Sequence, residues 1–518
     1  MSRVLVAGVD TSTQSCKVRV TDALTGALVR FGQAKHPSGT TVDPEAWWRA
    51  FLEAAQQAGG LADVSAIAVG GQQHGMVLLD EQGAVIRDAM LWNDTSSAPQ
   101  AEELIDMLGA QGDDAGNGDA ADDAADAAAV HARGVARWVE EVGSSPVASY
   151  TLTKIKWVAE HEPDNAARIA AVCLPHDWLS WRIAGYDPVD EGADAHLDAL
   201  CTDRSDASGT LYFDAARNAY RRDLLALGLT ASSNASPEPA ALAHAERIVL
   251  PQVLGPHEAA PTRAASDIAG ADVPGGCVIA PGGGDNAMAA LGLGMAVGDV
   301  SVSLGTSGVA AAVSEQPVRD LSGSVSGFAD CTGHFLPLAC TINASRILDA
   351  ARAALRVDYD ELTDLALAAH AGADGMTLVP YFDGERTPNR PDATATLTGM
   401  TMRNTDAANI ARAFVEGLLC SQRDCIELIR SLGAPIDRVL LIGGGARSVA
   451  IRTLAPCILG MDVSCPATDE YVAIGAARQA AWTLDGGASA PEWPVSIDAV
   501  STGAPTPQVY EAYVRARG

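Results

Sequence analysis

Three consecutive glycines, Gly282 to Gly284, strip side chains from a turn in the run PGGGDNAMAALGLG and deliver Asp285 and Asn286 at its end. A carboxylate presented this way can accept the proton of a hydroxyl group while that oxygen attacks phosphorus, the main demand of phosphoryl transfer to an alcohol. The plainer alternative is that Asp285 caps the helix that follows. Asp10 closes a short apolar run, a polar turn follows at residues 11–15, and Lys17 lies just beyond. Hydroxyls and backbone N–H groups at such a tip can bind phosphate oxygens, and Asp10 is placed to hold Mg²⁺ through water, as that hard cation prefers. A turn of the same design recurs at residues 305–308; ordinary hairpins share this look, so it is the recurrence that carries weight. Gly443, Gly444 and Gly445, followed by Ala446, Arg447 and Ser448, bring bare backbone to the start of a helix. That arrangement suits an anion or the flat face of adenosine, although packing alone also calls for glycine. Finally, GGQQHG at residues 70–75 sets Gln73 and His74 between glycines, and LWND at 91–94 adds the aromatic plate of Trp92. Polyols are bound by such mixtures, whereas a lone histidine is often structural.

The elements that must position these groups alternate between strand and helix. Residues 4–10, 16–22 and 27–32 read as an antiparallel set of strands, 44–58 as a helix with Asp43 as N-cap and Pro44 at its first position, and 65–69 as a short buried strand. Residues 299–314 repeat the opening hairpin, and 438–459 read strand, glycine turn, helix. Two hairpins of one design imply a duplicated architecture whose equivalent turns face each other across a cleft. An Ala, Gly and Asp-rich run at 112–129 is expected to be a flexible acidic insert. From residue 486 onward, Pro, Ala, Gly and Ser predict an irregular tail with a short closing helix near Tyr510.

Composition narrows the partners. With 518 residues, 48% hydrophobic and 19% charged, the chain describes a folded protein of several domains. Its net charge of −30 argues against nucleic acid and membrane surfaces as partners, so any phosphate site must be made locally. No basic leader with a long apolar core follows Met1, and apolar runs are too short to span a bilayer; the expected location is cytoplasmic. The ten cysteines form no C-x-x-C pair and no zinc spacing, so free, mostly buried thiols are expected.

Taken together and in order, GVDTSTQSCKV, GGQQHGMVLLD, LWND, the run 149–157, LPHDWLSWRIAG, DRSDASGT, PGGGDNAMAALGLG, SVSLGTSGV, LVPYFDGERTPNRP, TLTGM with NIARAFVEG, and LIGGGARS resemble the FGGY family of carbohydrate kinases. The resemblance covers nearly the whole chain outside the acidic run and the tail. It implies an α/β fold of two actin-like, ribonuclease-H-like domains with a central cleft, over residues 1–295 and 296–484, with 485–518 as the tail. It further implies ATP and Mg²⁺ as cofactors and a small sugar as partner, with D-xylulose the acceptor that these motifs favour and ribulose or glycerol the neighbouring alternatives; a homodimer is the candidate assembly. Carried over by position, Asp285 is the proton acceptor and Asp10 the Mg²⁺-linked acid. Thr13 and Gln14, with Lys17 beyond them, fall in the first phosphate loop and Gly305 and Thr306 in the second. Gln73 and His74 match the sugar-binding pair, flanked by Asn286 and Trp92, and Gly444, Gly445 and Arg447 fall where adenine and ribose are held. The chain departs from the family at Ser12, where glycine is common, at Thr95 to Ser97, where a cation is common, and at Gln73, where methionine is common.

Two readings from other classes share parts of this pattern. An actin- or chaperone-like ATPase would use both phosphate turns but would have no need of GGQQHG and LWND. A dinucleotide-dependent oxidoreductase would match Gly282, Gly284 and Ala287 as G-x-G-x-x-A. Asp285 would then sit inside the loop that cradles a pyrophosphate, and the next strand arrives too early for a full crossover unit.

Overall fold

The opening strand, Leu5–Thr11, is buried along its whole length, as expected of a strand with layers on both faces. Leu5, Ala7 and Val9 join a core with Trp47 and Phe51, while Val6 points into another core with Ala476 and Ala480. In this computed structural model, which describes residues 3–111, 123–233, 236–260 and 273–518, that strand is the hub of a six-stranded sheet. It pairs antiparallel with Ser15–Asp22, which pairs antiparallel with Leu28–Lys35. On its other side it pairs parallel with Val64–Gly71, reached through the helix Glu45–Gln57. Trp47, Phe51, Ala54 and Ala55 give that helix its buried stripe. It starts one residue later than expected, with Pro44 as the N-cap residue in place of Asp43, which accepts the Glu45 amide at 3.0 Å.

The second sheet repeats the plan. Asp299–Leu304 pairs antiparallel with Gly308–Ala312, which pairs with Phe335–Thr341; on the other side it pairs parallel with Arg438–Ile442, reached through the long helix Ala407–Ser431. The duplicated α/β architecture expected from the two hairpins is therefore present, with their tips, residues 12–14 and 305–307, at the same end of equivalent strands.

Two expectations change, and one contact ties the halves together. The helix Tyr471–Asp485 packs on the first sheet: a Cβ on Gly8 would meet Ala473 O at 2.0 Å, one on Gly292 would meet Tyr471 O at 2.1 Å, and one on Gly475 would meet Met288 O at 1.9 Å. The tail has the closing helix expected near Tyr510, but a paired strand precedes it where irregular chain was expected. Ile497–Ser501 pairs antiparallel with Val463–Pro466, and the helix Pro507–Arg517 buries Val509 and Tyr513. Of the acidic run, 112–122 lies outside the described residues, while 123–129 open the helix Asp123–Val142 instead of a flexible insert.

Backbone-to-backbone packing of this kind tolerates no side chain. Gly475→Val is expected to cost stability by at least the ~1–3 kcal/mol of ordinary overpacking, seen as a fall of several degrees in thermal midpoint, while Ala→Val on an exposed helix face leaves it unchanged.

Candidate active site

The glycine turn before Asp285 is held from three sides. Gly282 adopts a left-handed φ of 79°, and a Cβ there would meet Val69 O at 2.7 Å and the His176 ring at 2.5 Å. Gln479, fully buried on the 471–485 helix, accepts the Gly282 N–H and donates to the Gly282 carbonyl, both at 2.9 Å. Ser205 Oγ accepts the Gly284 N–H at 3.1 Å. A Cβ on Gly284 would collide with Gln73 at 2.7 Å. Protein side chains thus fill the space that a dinucleotide pyrophosphate would need, which disposes of the G-x-G-x-x-A reading.

Asp285 opens the helix Asp285–Gly292. Its Oδ1 accepts Asn286 N at 2.8 Å and Asn286 Nδ2 at 3.0 Å, and the same Nδ2 donates to Gln73 Oε1 at 3.0 Å. This leaves Oδ2 as the oxygen available to a ligand. Burial pushes the carboxyl up to about 7, with the nearby charges of Asp10 and Asp206 adding to the effect.

His74 stands beside it in a left-handed backbone conformation, φ 67°. Its ring lies edge-on to Tyr150 at 4.8 Å and tilted to Phe328 at 5.5 Å. Burial, reinforced by the Lys154 charge, lowers it to about 3, so the imidazole is neutral. Since Nδ1 lies 2.8 Å from the Gly209 carbonyl, Nδ1 carries the proton and Nε2 is left as an acceptor. Lys154, itself fully buried, ties this corner together by donating to the carbonyls of Ser149, Tyr150 and His74; burial brings it down to about 7 against the pull of Asp94.

Gln73, His74, Trp92, Asp285 and Asn286 all line one cavity of about 250 Å³. Thr13 lines it too, accepting Trp92 Nε1 at 2.8 Å, so this residue of the first turn borders the small cavity rather than the larger ones. Adjacent to it, a cavity of about 340 Å³ is lined by Asp10, Ser12, Lys17, Gly444 and Glu470. A third, of about 790 Å³, is lined by Gly305, Thr306, Gly444, Gly445, Arg447 and Tyr359. Gly443, at φ 89°, sits directly on Leu304, which brings the glycine loop beside the second hairpin tip. A Cβ on Gly444 would meet nothing within 4 Å; no packing demands glycine there. The three cavities form a path whose proportions suit a nucleotide, its phosphates and a small acceptor.

Asp10 is 2% exposed. Its Oδ1 accepts Ser12 N at 3.0 Å and also the Ser12 hydroxyl, and its Oδ2 accepts Lys17 Nζ at 3.0 Å. Lys17 also pairs with Glu470 at 2.6 Å, and these two carboxylates keep it charged although burial works against it. Lys17 is thus committed to carboxylates of this chain. Gln14 is exposed, lines none of the three cavities, and uses its carbonyl to accept His36 N at 3.0 Å.

Sequence reading passed over four residues that the fold brings here. Arg386 and Ser149 line the small cavity, and Gln479 and Lys154 hold its walls. The runs FDGERTPNRP and 149–157 were visible as motifs, but nothing in their spacing pointed to this cavity. Beneath the site, His176 lies fully buried between Asp206, 2.6 Å from Nδ1, and Asp177, 3.1 Å from Nε2. Burial opposes its charge, but Asp177 and Asp206 raise it to about 9, so an imidazolium offsets part of the negative charge below Asp285. His176 Nδ1 donates to Asp206, while Nε2 and Asp177 Oδ1, 3.1 Å apart, form no hydrogen bond; the three residues are the one cluster of potential metal ligands among the described residues.

The sequence matches the FGGY family of carbohydrate kinases in both of that family's domains, the N-terminal domain over residues 5–115 and 135–292 and the C-terminal domain over 300–484. It is 41% identical over 488 residues to the xylulose kinase of Streptomyces coelicolor, covering 93% of this chain and 88% of that one. The crystal structure of xylulose kinase from Bifidobacterium adolescentis is similar with a TM-score of 0.93 and 72% identity, all of both chains being covered. Plasmodium falciparum glycerol kinase with ADP, 17% identical, shares the fold with a TM-score of 0.76 over 98% of this chain and 96% of that one. No helix among the described residues is long and apolar enough to cross a membrane.

Gln479→Leu leaves both backbone groups of Gly282 buried and unpaired, at ~1–3 kcal/mol each. Its denaturant midpoint should fall accordingly, and a midpoint equal to that of the unaltered protein would show that the clamp contributes nothing.

Proposed function

The chain belongs to the FGGY family of carbohydrate kinases, and from that premise we propose that it transfers the γ-phosphoryl group of ATP to D-xylulose, giving D-xylulose 5-phosphate and ADP. The choice of acceptor is supported by the likeness to xylulose kinases; the observation that carries the chemistry is Asp285, with one carboxylate oxygen tied to Asn286 and the other available in the small cavity. In this reading the C5 hydroxyl donates to Asp285 Oδ2 and passes its proton there as the oxygen attacks the γ-phosphorus. The bond from that phosphorus to the β,γ-bridging oxygen breaks, and ADP leaves. The base does not have to be strong in the ground state, because a loose transition state needs mainly orientation and charge stabilisation.

ATP lies along the larger cavities, its adenosine against Gly444, Gly445 and Arg447 and its phosphates between the turns at 12–14 and 305–307. The oxygen donors Asp10 and Ser12 fit Mg²⁺ held through water, which when bound supplies neutralisation of the developing phosphoryl charge. Lys17 acts on Asp10 and Glu470 rather than on phosphate directly. Gln73 orients Asn286, His74 Nε2 accepts a sugar hydroxyl, and Trp92 with Thr13 closes the rim. The proposed chemistry thus gathers the ends of two equivalent hairpins and two glycine turns with the Gln73–His74 segment and Trp92. The ten unpaired cysteines suit a reducing compartment, and we place the reaction in the cytoplasm.

An ADP-release assay with Mg-ATP and a panel of D-xylulose, D-ribulose, glycerol and gluconate, with a blank lacking any acceptor, tests the assignment. D-xylulose should give the highest kcat/KM. Turnover equal in every tube, blank included, would replace the proposal with a motor-like ATPase. Asp285→Ala should lower kcat by about 10²–10⁴-fold with nucleotide affinity nearly intact. Since the base works ionised and is raised to about 7, kcat/KM should rise with pH up to about 7 and level off above it; a profile flat between pH 5.5 and 8 would remove Asp285 from the role.

A further inference from the structure

The small cavity holds a cation with no counterion. Arg386 lines it from the second half of the chain, opposite His74, Asp285 and Asn286 from the first. Its backbone is fixed: the buried Glu385 side chain accepts Ile342 N at 2.6 Å, Asn343 Nδ2 at 3.1 Å and Arg386 N at 2.8 Å. Its guanidinium, by contrast, makes no hydrogen bond or ion pair with the described residues, while other arginines of the chain are tied to carboxylates, as in Arg438 to Asp299 and Arg412 to Glu416. The neighbouring wall is apolar, with Val309, Phe328 and Leu338. A half-exposed guanidinium without a protein acceptor is hydrated, and a ligand oxygen brought against such a wall takes the place of that water.

The opposite wall is of complementary character. His74 offers Nε2 and Asp285 offers Oδ2, both acceptors. Sugar hydroxyls can donate to these. A guanidinium has only donors; a hydroxyl oxygen can accept from it, but its own hydrogen then needs an acceptor that the apolar wall of Val309, Phe328 and Leu338 does not offer, whereas a keto oxygen has no hydrogen to place. The charge of Arg386 is felt by His74 and Cys340, which line the same cavity.

We propose that Arg386 is a specificity-determining residue that donates to the keto oxygen of the acceptor, so that this cavity selects an open-chain ketose over the alditol of the same length. The inference rests on the proposed acceptor and adds how it is recognised. It also accounts for an acceptor site whose cation comes from the second domain: the ketose would bridge the two halves, its terminal hydroxyl on Asp285 and its carbonyl on Arg386.

The test compares the unaltered enzyme with Arg386→Met and Arg386→Gln, using KM and kcat for D-xylulose and the competitive inhibition constant of xylitol. Nucleotide binding, followed with a fluorescent ADP, reports that each variant is folded. Arg386→Met should weaken D-xylulose by about 10–100-fold, the loss of one charge-assisted hydrogen bond, mostly in KM. The xylitol constant should change less than about threefold, and Arg386→Gln, which keeps an N–H donor, should fall between. Equal weakening of ketose and alditol, a loss confined to kcat, or no change in either would each overturn the assignment, the second pointing to a role on the transferred phosphoryl group. If the unaltered enzyme prefers an acceptor without a carbonyl, the proposed substrate and this inference fall together; if it uses D-xylulose and the variants show no ketose-specific loss, only this inference falls.

Discussion

The cleft depends on one close approach: the helix Tyr471–Asp485, late in the chain, lies backbone against backbone on the first strand and on the helix that begins with Asp285. Glycine at Gly8, Gly292 and Gly475 allows that approach, and Gln479 on the same helix then reaches the peptide group of Gly282 with both of its polar atoms. The turn presenting the proposed base is thereby fixed to a rigid element rather than left as a loop. Because positioning within a fraction of an ångström governs phosphoryl transfer, a helix nearly 200 residues away in sequence is as much part of the site as the motif itself. Chain that has built the second sheet returns to complete the first, so the two halves fold as coupled units.

Charge at the site is arranged against the character of the whole molecule. A chain with net charge −30 must bind a polyanionic nucleotide, and it does so without a run of lysines. In the proposed binding mode, hairpin tips and a glycine turn supply backbone N–H groups, Arg447 adds an exposed cation, and Lys17 neutralises Asp10 and Glu470, with which it pairs. Around Asp285 the logic differs. Burial, then Asp10 and Asp206, raise its proton affinity while the Asn286 amide limits the rise; the outcome, about 7, is a carboxyl poised between its two forms at neutral pH and basic enough to hold a hydroxyl proton.

Much of this was legible in the sequence. Strands of the first sheet follow apolar runs ended by polar turns, and their observed bounds lie within a few residues of those expected. Glycine turns advertised themselves because nothing else strips side chains from three consecutive positions. What could not be read was apposition: Gln479, Lys154 and Arg386 lie in ordinary-looking segments, and their importance comes from packing partners distant in sequence. The tail was misjudged for a compositional reason. Pro, Ala, Gly and Ser predict irregular chain, but Ile497–Ser501 finds a sheet edge to pair with, and Trp493, only 8% exposed, packs over Gly26. Tertiary partners overrode local preference there.

The two walls of the acceptor cavity also bear on why a kinase with this cleft would spare its ATP from water. The first half offers acceptors, Asp285 Oδ2 and His74 Nε2, and the second offers a donor, Arg386. A water molecule on Asp285 satisfies one wall and leaves the other untouched, so it gives no reason for the halves to come together. An acceptor long enough to touch both supplies binding energy that favours the closed cleft, and closure is what sets the phosphate turns around the transferring group and excludes competing water. In the proposed binding mode, discrimination against water needs no dedicated gate: it follows from acceptors on one half of the chain and a donor on the other, lining one cavity.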